Sequence, residues 1–539
     1  MPDASEASIV RKALWHANSD LHELHDNITY VQAILDELRL KHQSLHKFTI
    51  EQDAFLTPIR RLPADILIEI FMLCMNYKLS SFSPYCSPSL FGQVCTGWRQ
   101  VALSTQKLWS SITVIYYQPS SAKAKLWISR VSSAPLTICL TSVHPQFGGM
   151  GKIQPVIAVL AQHCDRWRHL NLRLHDSMLP CLSSIKHRLP WLESIRIERP
   201  TQPRELDVFE VAPRLHTFIS GPDVYLTTGL KVPWHQLTDL NTHIHTMTEC
   251  LNILQLMPNL VKCTLYNRSS LSETSAPLQN IPILTFPHLR CFSILQIHPD
   301  DIFKHLRLPV IHTLHVTYLD EWRKRSKGLK WFARQPFMSL LSCSSHTLRK
   351  LVIDHLQERE DCAHIAHCLR ATPSLEALCL RGTGYWVTTD FLHLLTRQTY
   401  IEELVPNLED LEIHDEYILS DHSVSMIELR WRVGEDDKDA RARLKRLRFE
   451  MSAYEMWLVR DAEILNCLRK CRQEGMVISI FAKGTWWTIP TRPLRSYSCT
   501  WITRVIRYER MDAVAALLPS TYVSTLPLGF STRPNTIQA

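Results

Sequence analysis

At 539 residues and 62.5 kDa the chain exceeds one small domain and has room for several, or for a long repeat array. A hydrophobic fraction of 45%, with 21% charged residues and only 14 glycines, excludes a mostly disordered or linker-like chain. The net charge of +8, from 60 basic against 52 acidic residues, is too dilute for a dedicated nucleic-acid binder, and no apolar run reaches the roughly 18 residues of a membrane span.

The opening segment carries acids and histidine where a secretory signal needs an apolar core. Sixteen cysteines without a CxxC pair suit free thiols in a reducing compartment, so a cytoplasmic or nuclear location is expected. Residues 1–8 are expected to be disordered. Over 9–48 the apolar residues follow heptads. Leu14, Leu21, Ile28 and Leu35 are spaced by seven, with Ala17, Leu24, Val31, Leu38 and Leu45 interleaved three later. The series weakens at His42, an a position. A coiled-coil homodimer is one reading. The flanking positions Asn18, Asp20, His25, Asn27, Gln32, Ile34, Arg39 and Lys41 show almost no complementary charge, and Ile34 widens the stripe, so a helix packed back on its own protein is the other.

A helix is expected to begin at Leu62-Pro63 in "PIRRLPADILIEIFMLCM", where Ile66, Leu67, Ile70, Phe71 and Leu73 keep helical spacing. A Ser- and Pro-rich loop follows, and the apolar pattern resumes at Val94, Cys95, Trp98, Val101 and Ala102, then Leu108-Trp109. These residues, from about Pro58 to Ile112, resemble an F-box, with a longer insertion between its halves. The resemblance implies a three-helix module over 55–115 that docks on a Skp-type adaptor and through it on a cullin scaffold. Leu62, Pro63, Ile66, Leu67, Ile70, Val94, Cys95, Trp98 and Trp109 are the implied adaptor-binding residues, the two tryptophans partly filling the module's core and partly facing the adaptor.

From 116 to 485 a pattern L-x-x-L-x-L recurs. It opens at Trp167, Leu192, Leu260, Leu289, Ile311, Leu348, Leu375, Leu408 and Leu444, with weaker copies at Leu215 and Leu237 that end in Ser220 and Thr242. The first steps are 25, 23, 22 and 23 residues, and later ones lengthen to as many as 37. Many copies follow a proline two residues earlier, as in "MPNLVKCTL" and "VPNLEDLEI", so the unit reads as helix, proline turn, strand. This resembles an irregular leucine-rich repeat, and the order of F-box and repeats resembles F-box proteins abundant in basidiomycete fungi. The expected fold is α/β: an N-terminal coiled-coil-like helix, the three-helix module, and a curved solenoid with a parallel inner sheet and outer helices. Residues 486–539 are expected to form a C-terminal tail.

Motifs for chemistry are weak. Cys362, His364, His367 and Cys368 could ligate a metal, yet no second cluster matches, and Cys368 shares an apolar stripe with Ile365 and Leu369. "GGMGK" lacks the first glycine and the hydroxyl residue of a phosphate loop and reads as a turn, and no GxSxG elbow occurs. "WRKRSKGLKWFAR" reads as a solvated insertion before a phosphate-binding or nuclear-signal stretch. No cofactor and no metal are expected, and the chain reads as non-enzymatic.

Two readings stay open: the substrate-recognition subunit of a Skp-cullin-F-box ubiquitin ligase, with a protein substrate, or a scaffold without ubiquitin transfer. Between the inward positions of the late strands lie Arg349 and Lys350, then Glu376, then Glu409, Asp410 and Glu412, then Lys445, Arg446 and Arg448. They are candidate substrate contacts on a concave wall, or charges paired across neighbouring strands.

Overall fold

The computed structural model describes residues 4–56, 58–75, 87–115, 120–141, 150–198, 206–222, 224, 226, 229–267, 282–297, 299–317, 334–382, 386–396, 404–415, 420–432, 443–451, 462–482 and 485–488. The chain divides into two compact units, Met1–Ile281 and Pro282–Ala539.

The first unit opens with α1 (Ala4–Leu56), one uninterrupted helix of 53 residues. It overruns the expected 9–48 at both ends, and residues 4–8, expected to be disordered, are helical. His42 does not break it because an imidazole on a solvated face costs little, and the helix stops where Pro58 disfavours helical geometry at the residue before it. From Ser8 to Asp53 every residue is exposed, so α1 is not packed back on the other described residues of the first unit.

A turn of 3-10 helix (Pro58–Arg61) leads into α2 (Ala64–Leu73), α3 (Ser87–Val94) and α4 (Thr96–Ser104). Part of the stretch read as a loop is therefore α3, which a proline in its first turn favours. The resumed apolar pattern from Val94 to Ala102 spans two helices that meet at Cys95, whose backbone is extended and whose sulfur accepts from the Trp98 backbone N–H at 3.4 Å. The rest of the insertion, 76–86, lies outside the described residues.

Seven strands follow: β1 (Ser111–Ile115), β2 (Leu136–Thr141), β3 (Trp167–Arg173), β4 (Ser194–Glu198), β5 (Thr217–Ser220), β6 (Asp239–Ile244) and β7 (Lys262–Asn267). They pair in parallel in sequence order. The register aligns the repeat positions: Leu170, Ile195, Phe218, Leu240 and Cys263 form one buried row across five strands. Ile112 and Ile138 extend that row backwards, so the repeats begin before 116 and β1 belongs to them rather than to the helical module.

The outer layer departs from expectation. Helices α5 (Ser121–Val131), α6 (Met150–Ala161) and α7 (Met247–Gln255) cover parts of it, but between β3 and β4 and between β5 and β6 the covering is 3-10 helix, Asp176–Ile185 and Trp234–Gln236. Pro180 lies inside the first of these segments, where it cannot donate to a regular helix ladder. Met150–Lys152 of the supposed turn open α6; Gly148 and Gly149 lie outside the described residues.

In the second unit two short strands, β8 (Leu284–Thr285) and β10 (Leu306–Arg307), pair with each other. The main sheet runs β9 (Cys291–Leu295), β11 (Thr313–Thr317), β12 (Lys350–Leu356), β13 (Ala377–Gly382), β14 (Asp410–His414), β15 (Arg446–Met451) and β16 (Val477–Ala482), all parallel. Phe292, Leu314, Leu351, Leu378, Leu411 and Leu447 share one register row and are buried. Helices α8 (Pro299–Phe303), α9 (Gln335–Cys343), α10 (Glu360–Arg370), α11 (Thr389–Leu395), α12 (Asp421–Trp431) and α13 (Ala462–Gln473) alternate with these strands. β17 (Thr485–Thr488) pairs antiparallel with β16, so a boundary at 485/486 cuts a strand. The tail from 489 and the basic run Trp322–Ala333 lie outside the described residues; Arg334, at the end of that run, precedes α9 and binds Asp300 at 2.6 Å. Both units are thus α/β repeats built on a parallel sheet.

Candidate functional site

In the helical module, α2 presents two apolar stripes. Leu67 and Phe71 point inward, and Phe71 is fully buried, stacked on Phe91 at 4.2 Å and edge-on to Trp98 at 4.9 Å between ring centroids. Ile66, Ile70 and Leu73, at spacings of four and three, lie on another face. Ile66 is 45% and Leu73 86% exposed, and Ile70 is half-buried. A helix apolar on two faces and buried on one leaves surface for a partner. Val94, at the end of α3, is also exposed, while Leu62, Cys95 and Trp98 are half-buried and Pro63 is exposed at the start of α2.

Two of the implied adaptor residues are elsewhere. Leu67 is core, and Trp109 is 1% exposed. The Trp109 indole N–H donates to the Ala102 carbonyl at 2.7 Å, its own carbonyl accepts from the Trp127 indole at 2.8 Å, and Arg130 lies over its ring at 4.3 Å. Trp109 therefore cannot face an adaptor. It leads Trp109-x-x-Ile112-x-Val114, the same pattern that Trp167 leads, and that spacing was the available signal.

On the sheet of the second unit the charged positions engage one another. Asp410 faces Arg446 and Glu412 faces Arg448 in the strand register, with ion pairs at 3.0 and 3.5 Å. Lys445 binds Glu409 at 2.8 Å, and Arg349 binds Glu376 at 2.9 Å. The ladder continues into residues missed in the sequence: Arg381 bridges Glu412 at 2.9 Å and Asp354 at 3.5 Å, His414 meets Glu412 at 2.9 Å, and His315 meets Asp354 at 2.9 Å. His315 is the outward position between Leu314 and Val316, and Asp354, Arg381 and His414 each lie two residues past the corresponding position on their strands. Burial alone would raise Glu412, but hydrogen bonds from His414 and Arg381 together with the Arg381 charge outweigh it and hold its carboxyl well below the usual range. Asp354 is likewise lowered: burial opposes, and His315, Thr317 and Arg381 prevail. Lys350 stands exposed at the start of β12.

Cys362 and Cys368, two of the four metal-capable residues on α10, are both buried in the second unit. The Cys362 thiol donates to the Trp386 carbonyl at 3.1 Å, and Cys368 lies 3.7 Å from the Met338 sulfur. Burial pushes them up to about 11 and about 12, which keeps both protonated and poor as ligands.

No family model and no curated protein matches the chain. Among solved structures, the crystal structure of Rad7 and Elc1 complex in yeast is similar over 84% of this chain and 96% of that chain, with 15% sequence identity and a TM-score of 0.32. So loose a superposition assigns neither partner nor activity.

Proposed function

We propose that the chain is the substrate-recognition subunit of a Skp-cullin-F-box ubiquitin ligase. The helical module docks on the Skp-type adaptor, and the repeats take a protein substrate. The observation that carries this reading is the outward stripe Ile66, Ile70 and Leu73 on α2, apolar, with Ile66 and Leu73 exposed and Ile70 half-buried, on a helix whose other apolar face already forms a core. Leu62, Pro63, Val94, Cys95 and Trp98 complete the docking surface; Leu67 and Trp109 support it from inside. Substrate capture falls to the wall of the second unit, where Arg349, Lys350, Glu376, Lys445 and Arg446 remain exposed at the strand starts. Glu409, Asp410, Glu412 and Arg448 are half-buried beside them and take part in the ladder.

The test is affinity purification of the intact chain beside an Ile66→Glu, Leu73→Glu variant. Both positions are exposed, so the variant is expected to melt as the parent does while losing adaptor and cullin at least thirtyfold, about 2 kcal/mol. Adaptor recovered at parental level with the variant sinks the assignment. A parent that retains other partners yet never recovers a cullin is a scaffold.

A further inference from the structure

Along α1 the seam side chains Val10, Leu14, Leu21, Leu24, Ile28, Val31, Leu35, Leu38 and Leu45 are each between 43% and 64% exposed. Together they offer on the order of 800–1,000 Å² of apolar surface, against the roughly 800 Å² that each partner buries in a standard interface. A monomer rarely leaves so long an apolar strip in water. The helix spans about 80 Å at 1.5 Å per residue, so the strip has room for a partner of equal length.

We infer that this strip is covered by α1 of a second copy of the chain, running antiparallel, with residue i facing residue 59 − i of the partner subunit. Three features of the helix point to that register. First, it places the dyad at 29.5, beside the midpoint of Ala4–Leu56, so nearly the whole helix finds a partner. Second, the layers match in size: Leu14 meets the partner's Leu45, Leu21 meets the partner's Leu38, Leu24 meets the partner's Leu35, and Ile28 meets the partner's Val31. The two irregular seam positions fall opposite each other, the small Ala17 against the bulky, polar His42 of the partner subunit. Third, the flanking positions bring Asp20 beside the partner's Lys41 and, by symmetry, Lys41 beside the partner's Asp20. In the single chain Lys41 already bonds Glu37 at 2.6 Å while largely exposed, which leaves its ammonium able to serve both carboxylates. Of the flanking positions, which otherwise carry almost no complementary charge, this acidic–basic pair meets when one strand is reversed.

A parallel, in-register pair does worse on the same counts. It sets Ala17 against the partner's Ala17, leaving a gap, and His42 against the partner's His42, stacking two polar rings in the seam. It also brings Lys41 beside the partner's His46. The antiparallel pairing is independent of any adaptor or substrate.

The test uses the full-length chain in sedimentation equilibrium and light scattering at low salt. The parent is expected to be a dimer at micromolar concentration, and Leu24→Asp with Leu38→Asp, which strikes four layers, is expected to halve the mass. Circular dichroism establishes that the repeat units of that variant stay folded. Orientation is read from a charge swap. Asp20→Lys alone and Lys41→Asp alone each weaken the dimer about tenfold, since each sets like charges together twice, and the Asp20→Lys, Lys41→Asp double variant returns to within about threefold of the parent. In a parallel pair these positions lie about 30 Å apart and cannot rescue one another. A parent that stays monomeric at tens of micromolar overturns the dimer; a double variant as weak as its singles overturns the antiparallel register.

Discussion

Ser220 and Thr242 occupy positions that leucine or isoleucine fills in other repeats, and both are buried. Adjacent strands bring the two hydroxyls into a hydrogen bond, so a pair of departures from the pattern satisfies itself where one alone would not. Thr242 also reaches the His243 carbonyl at 3.2 Å. Thr242→Val is therefore expected to cost about 1–3 kcal/mol by leaving the Ser220 hydroxyl without that partner. Ser220→Ala should cost less, and the Ser220→Ala, Thr242→Val pair should return close to parental stability, measured by urea denaturation. Equal, additive losses would show that the two hydroxyls are not coupled. A tighter constraint stands at Gly382, where an added Cβ would lie 2.4 Å from the Leu356 carbonyl and 2.3 Å from the Trp386 indole nitrogen. Glycine is required there by the close approach of Trp386, whose indole donates to the His414 carbonyl at 2.9 Å.

Among the elements, β12 to β15 carry the charge ladder, and its behaviour with pH follows from Glu412. A carboxylate held below its ordinary value stabilises the fold fully above the unfolded-state value of about 4.3 and loses that contribution as pH falls through the lower, folded value. Glu412→Gln should thus destabilise the chain by about 1–3 kcal/mol at neutral pH, and the gap between variant and parent should close below about pH 4. Calorimetric melts from pH 7 to pH 3 read this, and a constant gap over that range would mean that ionisation of Glu412 contributes nothing. The ladder also shows what the sequence could reveal at this scale. Strand positions were legible because buried leucines recur at period two, and register followed because rows such as Leu351, Leu378 and Leu411 must meet in the core. Whether Glu412 is paired or free was not legible, since the answer depends on which strand comes next in space. Likewise, helical spacing in "ADILIEIF" marks α2 without showing which of its two apolar faces is covered. The repeat at β2 escaped notice because Pro135 stands where its leading apolar residue would be.

Across both units the described thiols sort by depth. Cys250, Cys362 and Cys368 are buried, and burial pushes them up to about 12, about 11 and about 12, so at neutral pH almost none is thiolate. Cys74 and Cys343 are exposed. A maleimide pulse at pH 7 followed by peptide mapping should label these two first among the described cysteines, and Cys250, Cys362 and Cys368 only after denaturation. Early labelling of Cys250 would mean that the first unit opens locally around α7.

The buried indole of Trp109 is tied to elements on both sides of it. On one side it is tied to the last turns of α4 through the Ala102 carbonyl; on the other it abuts Trp127 at 4.7 Å between centroids and leads directly into β1. Swivelling the helical module about Ser110 would draw that ring out of the interior, so the joint is keyed rather than hinged. Whatever settles on the outward stripe of α2 then keeps a constant bearing to the strands β1 to β7. Within the first unit, the reach from that partner to any point on the sheet is set by the number of strands between them, at about 4.8 Å for each.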